Sequence, residues 1–401
     1  MTSTQSDGSL LRLDIGNVAH GGFCVARHDG QVVFVRGALP GEVVMAQVTE
    51  APAHGRFLRA DAVEVITPSP HRVAPPCRYA GDCGGCDWQF VAVSEQRRLK
   101  AAVVREQLTR LGGEPAERWA GLEVEAVPGD VDGLAWRTRM RFAVDDRGRL
   151  GLRAARSHRI VEIDQCLIAS DGIDGLGLTR QEWGDASEVL AVSPSEGHPI
   201  ALPDPRPGEA RVRERAAGRT WTFDATAFWQ VHPGAADTLS QAVLDLLAPR
   251  PGEHAIDLYA GVGLFAGALA EPLGPGGRID AVESDTTAVA GARRSLHDVP
   301  TVHLHEARVD QWLRQTGLRR CDLVVLDPPR VGAKKDVMQG IVKLRPRAIA
   351  YVACDPAALG RDIAIAKSLG WELSAIRAFD LFPMTHHVEC VALLTPASVG
   401  S

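Results

Sequence analysis

The 401-residue chain has little aromatic content, 5% Phe, Trp and Tyr, and it has no apolar run long enough for a bilayer. Its longest such run, Leu258 to Ala270, is bracketed by Asp257 and Glu271, whereas a spanning helix needs about 20 residues. Met1 to Gly8 is polar, with neither a basic start nor an apolar core, so no secretory signal is expected. Positive charge is also in deficit: 44 Lys and Arg against 50 Asp and Glu leave a net charge of −6, which argues against wrapping nucleic acid over the whole surface. Cysteine is too sparse for a disulfide framework. Eight are scattered over the chain and three fall between positions 77 and 86, a distribution that suits a metal or cluster site in a reducing compartment. No internal repeat or low-complexity tract occurs. What remains is a soluble cytoplasmic protein with enough apolar material, 45%, for two or three cores.

The first unit, residues 8–67, reads as five short strands at Leu11 to Ile15, Gly22 to Val25, Gln31 to Val35, Glu42 to Val48 and Arg59 to Ile66, separated by Gly, Pro and Asp-Gly turns. Five strands in under sixty residues predict a small OB-like β-barrel, a frequent nucleic-acid platform. The stretch resembles the TRAM domain of RNA-modifying enzymes. A Pro-rich linker then leads into Cys77-Arg-Tyr-Ala-Gly-Asp-Cys83-Gly-Gly-Cys86. Three thiols so close, with glycines freeing the backbone, can converge on one centre if a fourth ligand joins them, and Cys166 is the best candidate. Four cysteines suit a four-iron four-sulfur cluster or structural zinc, and spacing alone does not choose between them.

Residues 68–225 should form a β-rich unit with the cluster site and an RNA-binding surface. Within it, Ser94 to Leu111 has the apolar spacing of a helix, through Leu99, Val103, Val104 and Leu108, which could pack on the following domain. Between Val131 and Ile160 there are eight arginines and only three aspartates. In Trp136 to Phe142 the strand alternation places Arg137, Arg139 and Arg141 on one face, which predicts a basic ribbon for RNA.

From residue 226 to 401, strands alternate with helices, the pattern of a doubly wound, Rossmann-like parallel sheet. His254 to Leu258 runs into a turn with Gly261 and Gly263, and Glu283 ends the next strand. Glycines that let a ligand approach, with an acid spaced to hold a ribose, fit either NAD or S-adenosylmethionine. Asp327-Pro-Pro-Arg330, a stiff loop at the end of a later strand, resembles the motif IV loop of class I methyltransferases. Ala348 to Ala353 is uncharged, as befits a strand buried on both faces, and it ends at Cys354, beside a helix that Asp355 and Pro356 would start. A thiol at a helix N-terminus is a candidate nucleophile. Glu389 interrupts an otherwise apolar final strand, Val388 to Leu394, where a carboxylate demands a reason. Adjacent His386 and His387 should diverge rather than share a metal.

Asp327-Pro-Pro-Arg, Tyr351-Val-Ala-Cys354-Asp-Pro-Ala and Phe382-Pro-Met-Thr-His-His-Val-Glu389 together resemble the RNA uracil-5-methyltransferase family, in its branch with a TRAM domain and an iron–sulfur cluster. The resemblance implies Cys354 as nucleophile, Glu389 as general base, and Cys77, Cys83, Cys86 and Cys166 as cluster ligands. It implies S-adenosylmethionine at Gln230, Tyr259, Gly261, Gly263, Glu283, Asp310 and Asp327. The substrate would be a uridine of structured RNA, ribosomal ahead of transfer RNA, with no membrane and no obligate protein partner. Competing readings are a methyltransferase for another base or RNA class and a non-catalytic, RNA-binding redox sensor. The family usually has Cys-Asn-Pro where this chain has Cys354-Asp355-Pro356, and an aspartate beside the thiol would oppose its ionisation.

Overall fold

The computed structural model describes residues 8–51 and 57–397; the polar start of the chain read above lies, apart from Gly8, outside them. The N-terminal unit is a curled five-stranded sheet of β1 (Leu10–Asp14), β2 (Cys24–His28), β3 (Gln31–Arg36), β4 (Val43–Glu50) and β5 (Phe57–Thr67) in the order β1-β4-β5-β3-β2. Only the β3–β5 pair is parallel. Leu13, Val33, Val35, Val44 and Ala46 fill its interior from alternate positions, as a half-buried strand requires.

The chain then passes through the cysteine segment into α1 (Val93–Arg110), which carries two apolar faces rather than the single stripe expected. Leu99 and Val103 pack into the barrel core, whereas Ala101, Val104 and Leu108 pack into the C-terminal core. The helix is therefore the spine between the two. After it, β6 (Val124–Ala126) adds a parallel strand to the edge of the C-terminal sheet.

The middle sheet consists of β7 (Arg139–Val144), β8 (Leu150–Arg153), β9 (Ile160–Glu162), β10 (Glu188–Val192) and β11 (Ile200–Pro203), ordered β11-β10-β7-β8-β9 and antiparallel throughout. A single helical turn, α2 (Asp171–Asp174), lies between β9 and β10. The basic ribbon expected here does not form. Arg139 is 8% exposed, and its guanidinium donates to the carbonyls of Ala225 and Ala227, bracing the chain that leads to Gln230. Arg137 is half-buried and donates to the Arg139 carbonyl, and only Arg141 reaches solvent, where it pairs with Glu188. Strand alternation alone could not reveal that both faces of β7 are covered.

A hairpin of β12 (Arg211–Ala216) and β13 (Arg219–Asp224) follows, and its Trp221 and Phe223 are buried in the C-terminal core. Beyond it come α3 (Ala235–Leu247), β14 (His254–Leu258), α4 (Leu264–Leu273), β15 (Arg278–Glu283), α5 (Thr286–Ser295), β16 (Val302–Glu306), α6 (Val309–Gln315), β17 (Leu323–Leu326), α7 (Lys334–Lys343), β18 (Ala348–Ala353), α8 (Pro356–Ser368), β19 (Trp371–Asp380) and β20 (Glu389–Pro396). The sheet order is β16-β15-β14-β17-β18-β20-β19-β6. Strands β14 to β18 pair in parallel, and β20 lies antiparallel between β18 and β19. The doubly wound, Rossmann-like fold is as expected.

A buried ion pair ties the spine to this sheet: Lys100 of α1, with no exposed side chain, places Nζ 2.5 Å from Asp380 at the end of β19 and donates to the Phe382 carbonyl. Removing one partner of a buried pair costs about 3–5 kcal/mol, because the other charge is stranded in low dielectric. Lys100→Met should lower the thermal midpoint of the protein by several degrees, whereas Lys100→Met combined with Asp380→Leu should recover part of the loss. Calorimetry checks both.

Candidate active site

Three strand ends meet at one place on the sheet edge. Asp327 follows β17, Cys354 follows β18, and Glu389 opens β20. The β18–β20 register pairs Ala353 with Cys390, so one further step sets Cys354 across from Glu389. The thiol is half-buried and the carboxylate is 4% exposed. Burial, then the negative charge of Asp327, push Glu389 well above the carboxylate range, with the Arg330 guanidinium opposing. Burial followed by Glu389 and Asp327 raises Cys354 to about 12, again against Arg330, and Asp355 contributes least. Burial also lifts Asp327 to about 7. Three acids packed this closely repel one another's charge. Burial and that repulsion shift the thiol and Glu389 toward their protonated forms, and each is a strong base once ionised.

The adjoining turn after β14 shows why its glycines are needed. Gly261 has φ +56°, and a Cβ there would meet nothing within 4 Å, so its surface is open toward the cleft. Gly263 has φ +90°, and a Cβ there would come within 2.6 Å of Leu296, so that residue serves helix packing. Tyr259 also adopts a left-handed conformation, φ +62°, which a bulky residue tolerates only where its surroundings enforce it. Glu283 receives the Gly261 amide at 2.9 Å on one oxygen and the Ser284 and Asp285 amides on the other, so its carboxylate is held at the rim. Asp310 is held by Arg308 and Arg314, and its charge, after burial, raises the nearby Tyr259 phenol to about 12. Gln230 is 9% exposed, just beyond the carbonyls braced by Arg139. The residues expected to hold a cofactor thus lie on the carboxyl edge of the sheet and in the loops around it, the crevice where open α/β sheets bind ligands.

Sequence reasoning missed several members of this neighbourhood. Asp257, fully buried on β14, receives the Ala266 amide at 2.8 Å on one oxygen, while the other has no partner. Burial raises it to about 8, opposed by the Ala266 amide and assisted by Asp327 and Glu283. An aspartate inside the apolar His254 to Leu258 strand was a visible signal for it. Asp87 and His386 were invisible, being 299 positions apart: Asp87 accepts both the His386 amide at 3.1 Å and its Nδ1. The histidine pair also departs from expectation, since the rings of His386 and His387 lie 4.2 Å apart rather than diverging. Burial and His386 depress His387 to about 3, so it stays neutral.

Cys77, Cys83, Cys86 and Cys166 are free thiols that line one cavity of about 860 Å³, shared with Trp136, Arg137 and the Thr385 to His387 loop before Glu389. Burial, and to a smaller extent the neighbouring thiols, raise Cys86 to about 12 and Cys166 to about 11. Among the described residues, no group of three or more His, Cys, Asp or Glu side chains is arranged so that it could hold a metal ion.

A doubly wound sheet with one antiparallel strand inserted between two others, β20 between β18 and β19, and with a glycine turn and a spaced acid at its carboxyl edge, is the architecture expected of a class I methyltransferase. Residues 5–63 match the TRAM domain family and residues 218–397 the family described as tRNA (Uracil-5-)-methyltransferase. A protein of Streptomyces avermitilis described as an uncharacterized RNA methyltransferase is 46% identical, over 98% of this chain and 100% of its own. The 23S rRNA (uracil(1939)-C(5))-methyltransferase RlmD of Shewanella sp. strain MR-4 is 32% identical over 98% of this chain and 96% of its own. The crystal structure of Pyrococcus abyssi tRNA (uracil-54, C5)-methyltransferase with S-adenosyl-L-homocysteine has the same fold, with a TM-score of 0.71 at 23% identity, covering 96% of this chain and all of that one. This chain belongs to the TRAM-containing RNA uracil-5-methyltransferase family and is an S-adenosylmethionine-dependent enzyme of it.

Proposed function

We propose that the protein methylates carbon 5 of a uridine in 23S ribosomal RNA, with Cys354 as nucleophile and Glu389 as general base. The observation that carries the reading is the register that sets the two side chains opposite each other in a water-poor cleft. Carbon 5 of uracil is too weak a nucleophile unaided. The Cys354 thiol first gives up its proton to solvent; the thiolate then adds to carbon 6, and the displaced π electrons form an enolate with carbanion character at carbon 5. S-adenosylmethionine supplies the electrophilic methyl group, for which Gln230, Tyr259, Gly261, Gly263, Glu283, Asp310 and Asp327 form the binding edge. Glu389, as its carboxylate, then takes the carbon 5 proton, the double bond to carbon 6 re-forms, and Cys354 leaves as thiolate. A raised carboxylate suits that step because its conjugate base is stronger than an ordinary one.

The ribosomal substrate is favoured by full-length similarity to RlmD, whereas the likeness to the transfer RNA enzyme carries the fold alone. With the ribbon gone, cationic contact falls to Arg59 and Arg156, whose guanidinium carbons lie 5.5 and 4.7 Å from the centre of the Phe23 ring of the barrel. At the cleft, Phe228 is 67% exposed two residues before Gln230 and offers a face for an unstacked base. No described helix is long and apolar enough to cross a membrane. We place the enzyme in the cytoplasm, where such thiols stay reduced.

For the four cysteines, which line one cavity without forming a preassembled metal site, we read a four-iron four-sulfur cluster ahead of zinc. One zinc ion would need all four sulfurs about 2.3 Å from a common point, whereas a cluster spreads its thiolates over separate irons around a larger space, as a shared cavity provides. Its role would be to fasten residues 77–86 to Cys166.

Two measurements test these assignments. Mapping 5-methyluridine in RNA from a strain lacking the protein should show one site lost from 23S ribosomal RNA with transfer RNA unchanged; loss from transfer RNA alone would overturn the substrate. Anaerobically purified protein should contain about four irons and four sulfides per chain, and stoichiometric zinc without iron would overturn the cluster.

A further inference from the structure

The loop between β1 and β2 leaves the barrel and reaches the catalytic edge. His20 Nε2 lies 3.1 Å from Asp355 Oδ2, 335 positions away and next to Cys354. Its neighbour Gly22, at φ +80°, is wedged so closely that a Cβ would come 2.8 Å from His386 and 2.9 Å from Asp87. The Gly22 carbonyl accepts the Trp88 indole at 3.2 Å. The stretch from His20 to Gly22 within this loop thus reaches the start of the nucleophile helix, the cysteine segment and the loop that leads to Glu389.

Asp355 is the residue whose charge should hinder the thiol. In the structure one oxygen, Oδ1, caps α8 by accepting the Ala358 amide at 2.7 Å, and the other accepts from His20. An ionised carboxylate can only accept, so His20 must carry its proton on Nε2. Each carboxylate oxygen thus has a hydrogen-bond partner other than the sulfur.

We propose that His20 is a positioning residue for the nucleophile, holding the Asp355 carboxylate on the α8 cap and screening Cys354 from its charge. The barrel is then a working part of the active site as well as an RNA platform. This rests on the reading of Cys354 as nucleophile. Burial opposes ionisation of Asp355, but the His20 hydrogen bond, the Ala358 amide and then the charges of His20 and Arg361 more than offset it, so the carboxylate is held below its usual range. The charged and titratable groups around Cys354 are Glu389 on β20, Asp327 and Arg330 after β17, and Asp355 on α8. Without His20, the Asp355 charge is less screened, so thiolate formation at Cys354 should need a higher pH.

The test is the pH profile of Cys354 alkylation by iodoacetamide, read on the Cys354 peptide by mass spectrometry, together with kcat. His20 pairs at a partly exposed position, 39% for the imidazole, so the effect is modest. His20→Ala should slow alkylation at a fixed pH below the midpoint, and kcat, by about three- to tenfold. His20→Gln, which keeps a hydrogen-bond donor of different reach, should fall between. In an Asp355→Asn background, where asparagine still caps the helix, His20→Ala should change either rate by less than about twofold, because no carboxylate remains to screen. An equal loss in both backgrounds, or no loss in either, overturns the proposal. Cys354→Ala assayed alongside keeps the two readings apart: retained methyl transfer there would sink the nucleophile assignment itself, whatever His20 does.

Discussion

The reversal of one strand is the constraint on which this site depends. In a parallel sheet every strand delivers its last residue to the carboxyl edge, which is how Asp327 and Cys354 come to lie side by side. A strand inserted antiparallel delivers its first residue to the same edge, and β20 does so with Glu389. The proposed nucleophile and base can therefore come from neighbouring strands of opposite direction and still meet at one edge. The cost is electrostatic. Three acids share the cleft: Asp327 raises the proton affinity of Glu389, both raise that of Cys354, and Arg330 only partly offsets this. For a reaction that needs a good nucleophile first and a good base later, high proton affinity is useful at both steps.

The rest of the molecule braces that edge. The spine α1 packs on the barrel with one face and on the catalytic core with the other, and its Lys100 is buried against Asp380, just before the loop to Glu389. The cysteine segment holds the same loop from the other side through Asp87 and His386 and through the Trp88 amide on the Met384 carbonyl at 3.0 Å. Arg139, in place of reading RNA, fixes the carbonyls that precede Gln230. Each brace joins units that would otherwise be separate bodies around the cleft.

The doubly wound sheet, the barrel strands and the placement of Cys354 and Asp327 at strand ends were legible in the sequence because they follow from local patterns of apolar runs and turns; Glu389 stood out as an acid in an apolar strand, although it opens that strand rather than interrupting it. The residues that tie those elements together were not. His20 with Asp355, Asp87 with His386, and Lys100 with Asp380 are each separated by more than 270 positions, and nothing in a local pattern marks such pairs. Arg139 failed for a related reason: alternation tells which residues share a face, not whether that face meets solvent or another element. The concern over Asp355 lacked one of its surroundings: the helix cap was expected from the sequence, whereas the histidine partner comes from the fold.

The division of labour between Cys354 and Glu389 is tested most directly by trapping. With cofactor labelled on its methyl group and RNA substrate, Glu389→Gln should transfer one methyl but fail to expel the thiol, leaving a labelled, slowly migrating protein–RNA adduct on a denaturing gel. Cys354→Ala should give no adduct and no methylation. Turnover by Cys354→Ala, or an adduct that forms without Cys354, would contradict the account.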